Sequence, residues 1–402
     1  EPRLPRFPTR APLRTPPHLA TLTVLTATSV LTLNMFLPSL PAMTLDLETS
    51  ASVMAIAVSG YMLMSAVLQI LLGPLSDRFG RRPVMLAAMA GYAGASLGAL
   101  LAQDVVWFLG FRLAQSLVMA GSVLSSAIIR DQFGAREAAG KLGTISAAMA
   151  LAPMLGPLLG GVLETTIGWR AIFGVYTALG AAALAMAFVD QGETARPRAT
   201  PLRARDYATL LRARLFWAYV LCQSFAVGSF YIFVTGVPFV ATQTWGLSPA
   251  LTGLGLGSIT AGFMLGAAIT SRTASRVGFA PLILAGRLAA ALGLATGLAI
   301  LLLGIVHPLV LFGFTLFVGL GNGLTLPSAN AGALSVRPDL AGTAAGLNGA
   351  LTIGTGAVLT WATAFVIDRA ATPAVLIALM LASAVLALIA GLVATRMDPG
   401  AS

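Results

Sequence analysis

Charge is what this chain of 402 residues has least of: Asp, Glu, Lys and Arg make up 9% of it, while 57% is hydrophobic and the mean hydropathy is +0.89. A soluble domain carries about 25% charged residues, so that balance excludes one and points to a polytopic membrane protein. Cysteine is nearly absent as well. The single Cys222 excludes a disulfide framework and a Cys-based metal site, and its place inside an apolar run predicts that it packs as a small apolar residue. The two histidines, His18 near the N-terminus and His307 at a turn before Pro308, are not placed for buried catalysis or metal binding. The one lysine, Lys141, stands in no phosphate-binding loop of the G-x-x-x-x-G-K-[ST] type, which excludes direct ATP drive within this chain. No nucleophile and base constellation is visible either, so the chain is not read as an enzyme, and no cofactor is expected.

What the chain has in quantity is long apolar runs. Twelve of them approach or exceed the roughly 20 residues needed to cross a hydrocarbon core, from Ala20–Leu40 and Ser52–Leu72 through Leu142–Leu163 to Thr343–Val366 and Pro373–Val393. They are apolar on all sides, unlike the alternating segments of about ten residues that build a barrel. The expected fold class is therefore all-α, with twelve transmembrane helices. Their Gly and Pro are tolerated in lipid, where neighbouring helices satisfy the freed backbone groups.

Arg and Lys divide unevenly between the two sets of connections. One set, with both termini, holds 20 of the 24 basic residues, the other holds Arg170 and Arg369, and Arg112 and Arg287 lie inside spans. By the positive-inside rule both termini are cytoplasmic. The formal net charge of +10 is thereby explained by topology and by attraction to anionic lipid, without a nucleic-acid partner. Residues 1–18, rich in Pro and Arg, read as a disordered cytoplasmic tail.

The chain also repeats itself. The connection after the second run reads Gly73-Pro-Leu-Ser-Asp77-Arg78-Phe-Gly80-Arg81-Arg82-Pro83, and after the eighth run Ser275-Arg276-Val-Gly278 is its degenerate echo, about half the chain away. Two related six-helix bundles follow, at 19–189 and 215–395, joined by a cytoplasmic linker at 190–214 and ending in a tail at 396–402. In the loop itself, the Asp77 carboxylate can meet the N-terminus of a neighbouring helix, and Arg81 can pair with Asp131 at the end of span four. A charge cluster of this kind, made and broken as one half rocks against the other, would latch the outward-facing state.

These residues resemble the major facilitator superfamily, and within it the twelve-span drug:proton antiporters. Gly73, Asp77, Arg78, Gly80, Arg81 and Arg82 match the loop signature G-x-L-x-D-R-x-G-R-R in full. Pro153, Gly156, Pro157, Gly160 and Gly161 resemble the antiporter motif of span five, whose glycines permit close helix approach and whose Pro157 bends the helix. The resemblance implies that this bend seals the closed state against ion leak. Arg112-Leu-Ala-Gln115 is similar to the R-x-x-Q motif of span four, with Ser116 in place of the usual Gly. Asn34-Met-Phe-Leu-Pro38, Arg130-Asp131 and Gly168-Trp169-Arg170 look like the bicyclomycin and chloramphenicol resistance branch, in which an acid usually stands at the position of Asn34.

The resemblance implies secondary-active efflux of small amphiphilic compounds by alternating access, in exchange for protons, by a monomer in a bacterial inner membrane. Its partners are then a small-molecule substrate, protons and membrane lipid. Asn34 cannot titrate, and it keeps open an alternative, an importer or facilitator of a small organic solute with the same fold. Asp77 and Asp131 are the expected proton carriers, with Arg112, a charge deep in a span and so a functional-site candidate, tuning access. Arg112 is expected to bond Asn34, Gln115 or helix carbonyls. Arg287, nearer the end of its span, is expected to snorkel. The expected cavity wall comprises Asn34, Phe36, Tyr61, Arg112, Gln115, Met119, Gln223, Phe225, Phe230, Tyr231, Phe233, Asn322 and Asn348. No acid falls at mid-span, which suits neutral, zwitterionic or anionic amphiphiles better than lipophilic cations.

Overall fold

The computed structural model describes residues 17–194, 204–337 and 340–397, without side-chain detail at some positions in the helices that begin at Ala135, Ala204, Pro249 and Ala341. Most of the expected N-terminal tail, the middle of the linker and the last five residues lie outside the described residues.

Twelve long helices run back and forth: α1 (Leu19–Asp46), α2 (Ala51–Phe79), α3 (Arg81–Leu101), α4 (Val105–Gln132), α5 (Ala135–Thr166), α6 (Arg170–Asp190), α7 (Arg214–Trp245), α8 (Pro249–Val277), α9 (Phe279–Leu302), α10 (Pro308–Ser335), α11 (Ala341–Ile367) and α12 (Pro373–Met397). Each of the twelve apolar runs is a helix. Eleven of the twelve are long and apolar enough, by their described residues, to cross a membrane, the exception being α5. Several run past the apolar stretch that predicts them: α1 continues beyond Leu40 to Asp46, and α5 starts at Ala135 rather than Leu142.

The helix ends follow from local chemistry. Asp104 accepts from the N–H groups of Val106 and Trp107, each at 3.0 Å, and starts α4. Ser248 and His307 cap α8 and α10, each followed by a proline whose missing N–H is not needed in a first turn. Gly80 and Gly278 turn α2 into α3 and α8 into α9 at φ +99° and +78°, a backbone that L side chains rarely adopt. The two tight turns occupy equivalent places in the first and last six helices.

Within the first six helices α3 packs on α6 and α1 on α4 and α5, and within the last six α10 packs on α8 and α9 and α7 on α11 and α12. The two groups meet along α2 with α11 and α5 with α8. The short helix Ala204–Arg212 docks by Leu210 into a smaller cluster of Phe216, Tyr219, Cys222, Ile283 and Ala333. Cys222 is buried and free, as its setting in the sequence predicts.

Candidate functional site

We call the end of the molecule that holds the α2–α3, α4–α5 and α6–α7 connections the basic end. The loop motif forms one charge cluster there. Arg81, 6% exposed, lies 2.7 Å from the Asp77 carboxylate and 3.1 Å from that of Asp131, and it also bonds the Ser76 hydroxyl. Glu193, just past α6, accepts from the backbone N–H of Arg81 at 2.9 Å and of Arg82 at 3.3 Å and so caps the first turn of α3. Arg82 donates to the Phe188 carbonyl at 2.8 Å and Arg78 lies over the Phe79 ring. Gly73 faces open space.

At the opposite end the two groups of helices are joined. The Asp368 carboxylate, just past α11, accepts from the N–H groups of Ala51 and Ser52 at 2.9 and 2.8 Å and so caps α2 across the interface. The glycines of α5 form a seam facing two ways. A Cβ on Gly160 would overlap the Met35 carbonyl, where α1 leaves regular helical geometry, and one on Gly161 would overlap the Pro249 carbonyl of α8. Gly253 of α8 meets the Pro157 carbonyl in return. Backbone thus touches backbone across α5 and α8, an approach that only glycine permits.

Arg112 sits at 0% exposure among α1, α2 and α4. Its Nε donates to the Ala57 carbonyl at 3.0 Å, one terminal nitrogen to the Gln115 side chain at 2.7 Å, and the other to the Thr32 carbonyl at 2.9 Å. The rings of Phe36 and Tyr61 lie 4.1 and 4.4 Å from its Cζ. Gln115 passes the network on to the Ser96 hydroxyl at 2.8 Å. Asn34 takes no part in these bonds, since its amide donates to the Val30 carbonyl of its own helix at 2.8 Å.

A cavity of about 520 Å³ lies between the two groups of helices. Thr26, Val30, Ser122, Ser126, Leu142, Ile145 and Pro153 line it from the first six helices, and Val227, Phe230, Ile259, Thr260, Phe263, Gly319, Asn322 and Leu326 from the last six. Of the polar and aromatic residues that the sequence nominates for the wall, Phe230 and Asn322 are on it. Arg112, Gln115, Phe36, Tyr61 and Asn34 are instead buried inside the first six helices, because polar atoms at membrane depth are drawn to each other and to helix carbonyls. Met119 packs against the core and Phe233 within it. Gln223 and Asn348 bond each other at 3.1 Å, Asn348 also bonds Asn330, and the Phe225 carbonyl accepts from Ser383 at 2.7 Å. Tyr231 packs its ring against Gly356. The serines, threonines and aliphatic residues that do line the cavity carry no signal that separates them in sequence from lipid-facing or packing residues.

Arg287 corrects an expectation. It does not snorkel but is 0% exposed, with Nε donating to the Thr325 hydroxyl at 2.9 Å and one terminal nitrogen to the Asn322 side-chain oxygen at 2.8 Å. Gly286 and Gly321 bring α9 and α10 so close that the side chain is walled in. Among the described residues no group of acids, histidines and cysteines could hold a metal ion.

Comparison with known proteins shows the family by one route and adds relatives and a fold in keeping with it. The model of the Major Facilitator Superfamily matches residues 22–360. The chain is similar to the chloramphenicol resistance protein of Pseudomonas aeruginosa, 34% identical over 248 residues, which are 61% of this chain and 58% of that protein. It is also similar to the bicyclomycin resistance protein homolog of Haemophilus influenzae, 28% identical over 351 residues, covering 85% and 87% of the two chains. The chain thus spans less than two thirds of the length of the first of these relatives. In structure it is similar to a D-xylose-proton symporter, with a TM-score of 0.75 over 96% of this chain and 98% of the symporter at 15% identity, a likeness that speaks for the fold alone.

Proposed function

Starting from a chain that belongs to the Major Facilitator Superfamily, we propose that it is a secondary-active multidrug efflux transporter of a bacterial inner membrane, exporting small amphiphilic compounds in exchange for protons. Its relatives are named for chloramphenicol and bicyclomycin resistance. The observation that carries the reading is the α5 seam, where Gly160 and Gly161 weld one helix to α1 on one side and to α8 of the other half on the other. A seam that makes one end tight while a cavity stands between the halves is what alternating access requires of a closed gate.

In this reading the basic end is cytoplasmic, as are both termini, and the protein is a monomer without enzymatic activity. The units 19–189 and 215–395 are the halves that rock, with the linker 190–214 between them. An amphiphile enters the cavity from the cytoplasmic side, the basic end closes, and the seam and the Asp368 cap part to release it outside. The Asp77, Arg81 and Asp131 cluster is the latch, and its two carboxylates are the proposed proton carriers, because Asn34 cannot titrate. Arg112 fixes α1, α2 and α4 to one another, so that the first half moves as a unit.

The test is drug accumulation in cells expressing the chain, with and without a protonophore. Low accumulation of chloramphenicol or another amphiphile that rises when the proton gradient collapses, and that Asp77→Asn abolishes, is the expected result. The alternative of an importer or facilitator is favoured by Asn34 in the place of an acid, and accumulation raised by the intact protein would establish it in place of efflux.

A further inference from the structure

Arg287 is a buried cation with unfinished bonding. Its Nε and one terminal nitrogen bond neutral partners, Thr325 and Asn322, while the other terminal nitrogen is buried with no hydrogen-bond partner. No carboxylate among the described residues lies within ion-pair distance of it. A charge taken out of water is costly unless it is paired and hydrogen-bonded. A guanidinium left in this condition presents two N–H groups to an anion that can reach it.

The route to it is a single side chain. Asn322 lines the cavity at 5% exposure, holds the Ala226 carbonyl through its amide at 3.1 Å, and gives its oxygen to Arg287. Among the described residues the cavity wall has no charged side chain, and Arg287, one layer behind Asn322, contributes a positive charge close to it. Phe230 and Phe263 supply flat apolar surface on the same wall.

We infer that Arg287 and Asn322 form an anion subsite of the cavity, which takes the carboxylate or similarly acidic group of an aromatic amphiphile once Asn322 turns its oxygen off the guanidinium. The ligand carboxylate replaces the Asn322 oxygen at one terminal nitrogen and completes the bonding of the other, while the ring system lies against Phe230 and Phe263. This rests on the reading of the cavity as the substrate chamber.

The experiment measures binding of three probes with one ring system and different head groups, namely naphthoate, naphthylmethanol and naphthylmethylammonium, by equilibrium dialysis against the purified protein in lipid nanodiscs. Naphthoate is expected to bind at least about tenfold more tightly than naphthylmethanol, the ratio that one charge-assisted contact supplies, and naphthylmethylammonium more weakly than either. Arg287→Met is expected to bring naphthoate down to the level of the alcohol while the alcohol itself still binds, which shows the cavity intact. Asn322→Ala, which uncovers the guanidinium, is expected to raise the preference for naphthoate. Equal binding of all three probes to the intact protein, with a buried water as the partner of Arg287, overturns the anion subsite and leaves the chamber standing. A naphthoate preference that survives Arg287→Met overturns it too. If no probe binds at all, the chamber fails, and the subsite with it.

Discussion

Among the described residues, each half of the molecule hides one arginine completely, Arg112 and Arg287, and treats it differently. In the first half, Arg112 has all three nitrogens engaged and aromatic rings near its guanidinium. In the second, Arg287 is equally hidden, yet one nitrogen has no partner and the others have only an amide and a hydroxyl. The first half is held by polar bonds that reach across helices: Thr32 to Tyr92 at 2.6 Å, Tyr176 to the Leu31 carbonyl at 3.2 Å, Arg81 to Asp131. The second has such bonds as well, Ser383 to the Phe225 carbonyl among them, but its longest seam is of helices whose backbones nearly touch, α8 against α10, where Gly262, Gly266, Gly319 and Gly323 each face a carbonyl of the other helix. A buried charge that is fully bonded is a fastener, and one that is not has bonding capacity left for something else. The halves therefore share a fold and differ in what their buried charge can do.

The largest effect that this contrast predicts is at Arg112. Arg112→Ala leaves the Gln115 oxygen and two carbonyls without their donor inside the membrane, and hydrogen bonds from charged groups contribute about 1.5–3 kcal/mol each. The expected loss is at least about 3 kcal/mol, read as a large fall in the melting temperature of purified protein together with loss of transport. Arg112→Lys is expected to rescue little, because an ammonium cannot reproduce the fork that meets α1, α2 and α4 at once. A lysine variant as stable as the parent would mean that charge alone, and not the three-way bonding, holds this half.

The second half should break by volume instead. Gly319→Val places a branched side chain against the Ile259 carbonyl, which a Cβ alone would already overlap. Overpacking costs about 1–3 kcal/mol, so the melting temperature is expected to fall, by less than for Arg112→Ala. Gly73→Val is the matched control in the first half: a Cβ there meets nothing within 4 Å, and little change in melting temperature is expected.

How far the sequence discloses these differences depends on the range of the interaction. The helices are legible because a membrane span needs an unbroken apolar run, and the bonds of the loop motif are legible where the partners are near in sequence or sit at helix ends: Asp77 with Arg81 four residues on, and Asp131 closing α4. Gln115 beside Arg112 is read from the same turn of helix. Glu193, which is 112 residues from Arg81, has no local signature and is missed. That Arg112 meets helix carbonyls is expected, but that they are those of Thr32 and Ala57 is not legible, since every residue carries a carbonyl and only tertiary packing selects two of them. Arg287 is misread because its distance from a helix end suggests an escape to the interface, and whether a neighbouring helix blocks that escape is decided by Gly286 and Gly321 on separate helices. The cavity wall is the least legible of all, since apart from Phe230 and Asn322, which the sequence nominates, and Phe263 it is made of small, serine, threonine and aliphatic residues.

Of the two fully hidden arginines, Arg287 is predicted to have the smaller effect on stability, and it tests the contrast most closely. Replacing a buried and incompletely bonded charge by an apolar side chain of similar length removes a desolvation cost along with the bonds, so the two changes offset each other. Arg287→Met leaves the Thr325 hydroxyl able to turn fully to the Ile283 carbonyl, which it already approaches at 3.4 Å, and leaves Asn322 its bond to Ala226. The expected change is under about 1.5 kcal/mol in either direction, against at least about 3 kcal/mol for Arg112→Met on the hydrogen-bond reckoning above. Thermal unfolding of the two methionine variants side by side reads the difference directly. Equal and large losses in both would mean that Arg287 is as fully held as Arg112, by groups such as bound water or lipid, and the division between a fastened half and a receptive half would fall. A small loss at Arg287 alone would leave a cation kept in the membrane for something other than stability.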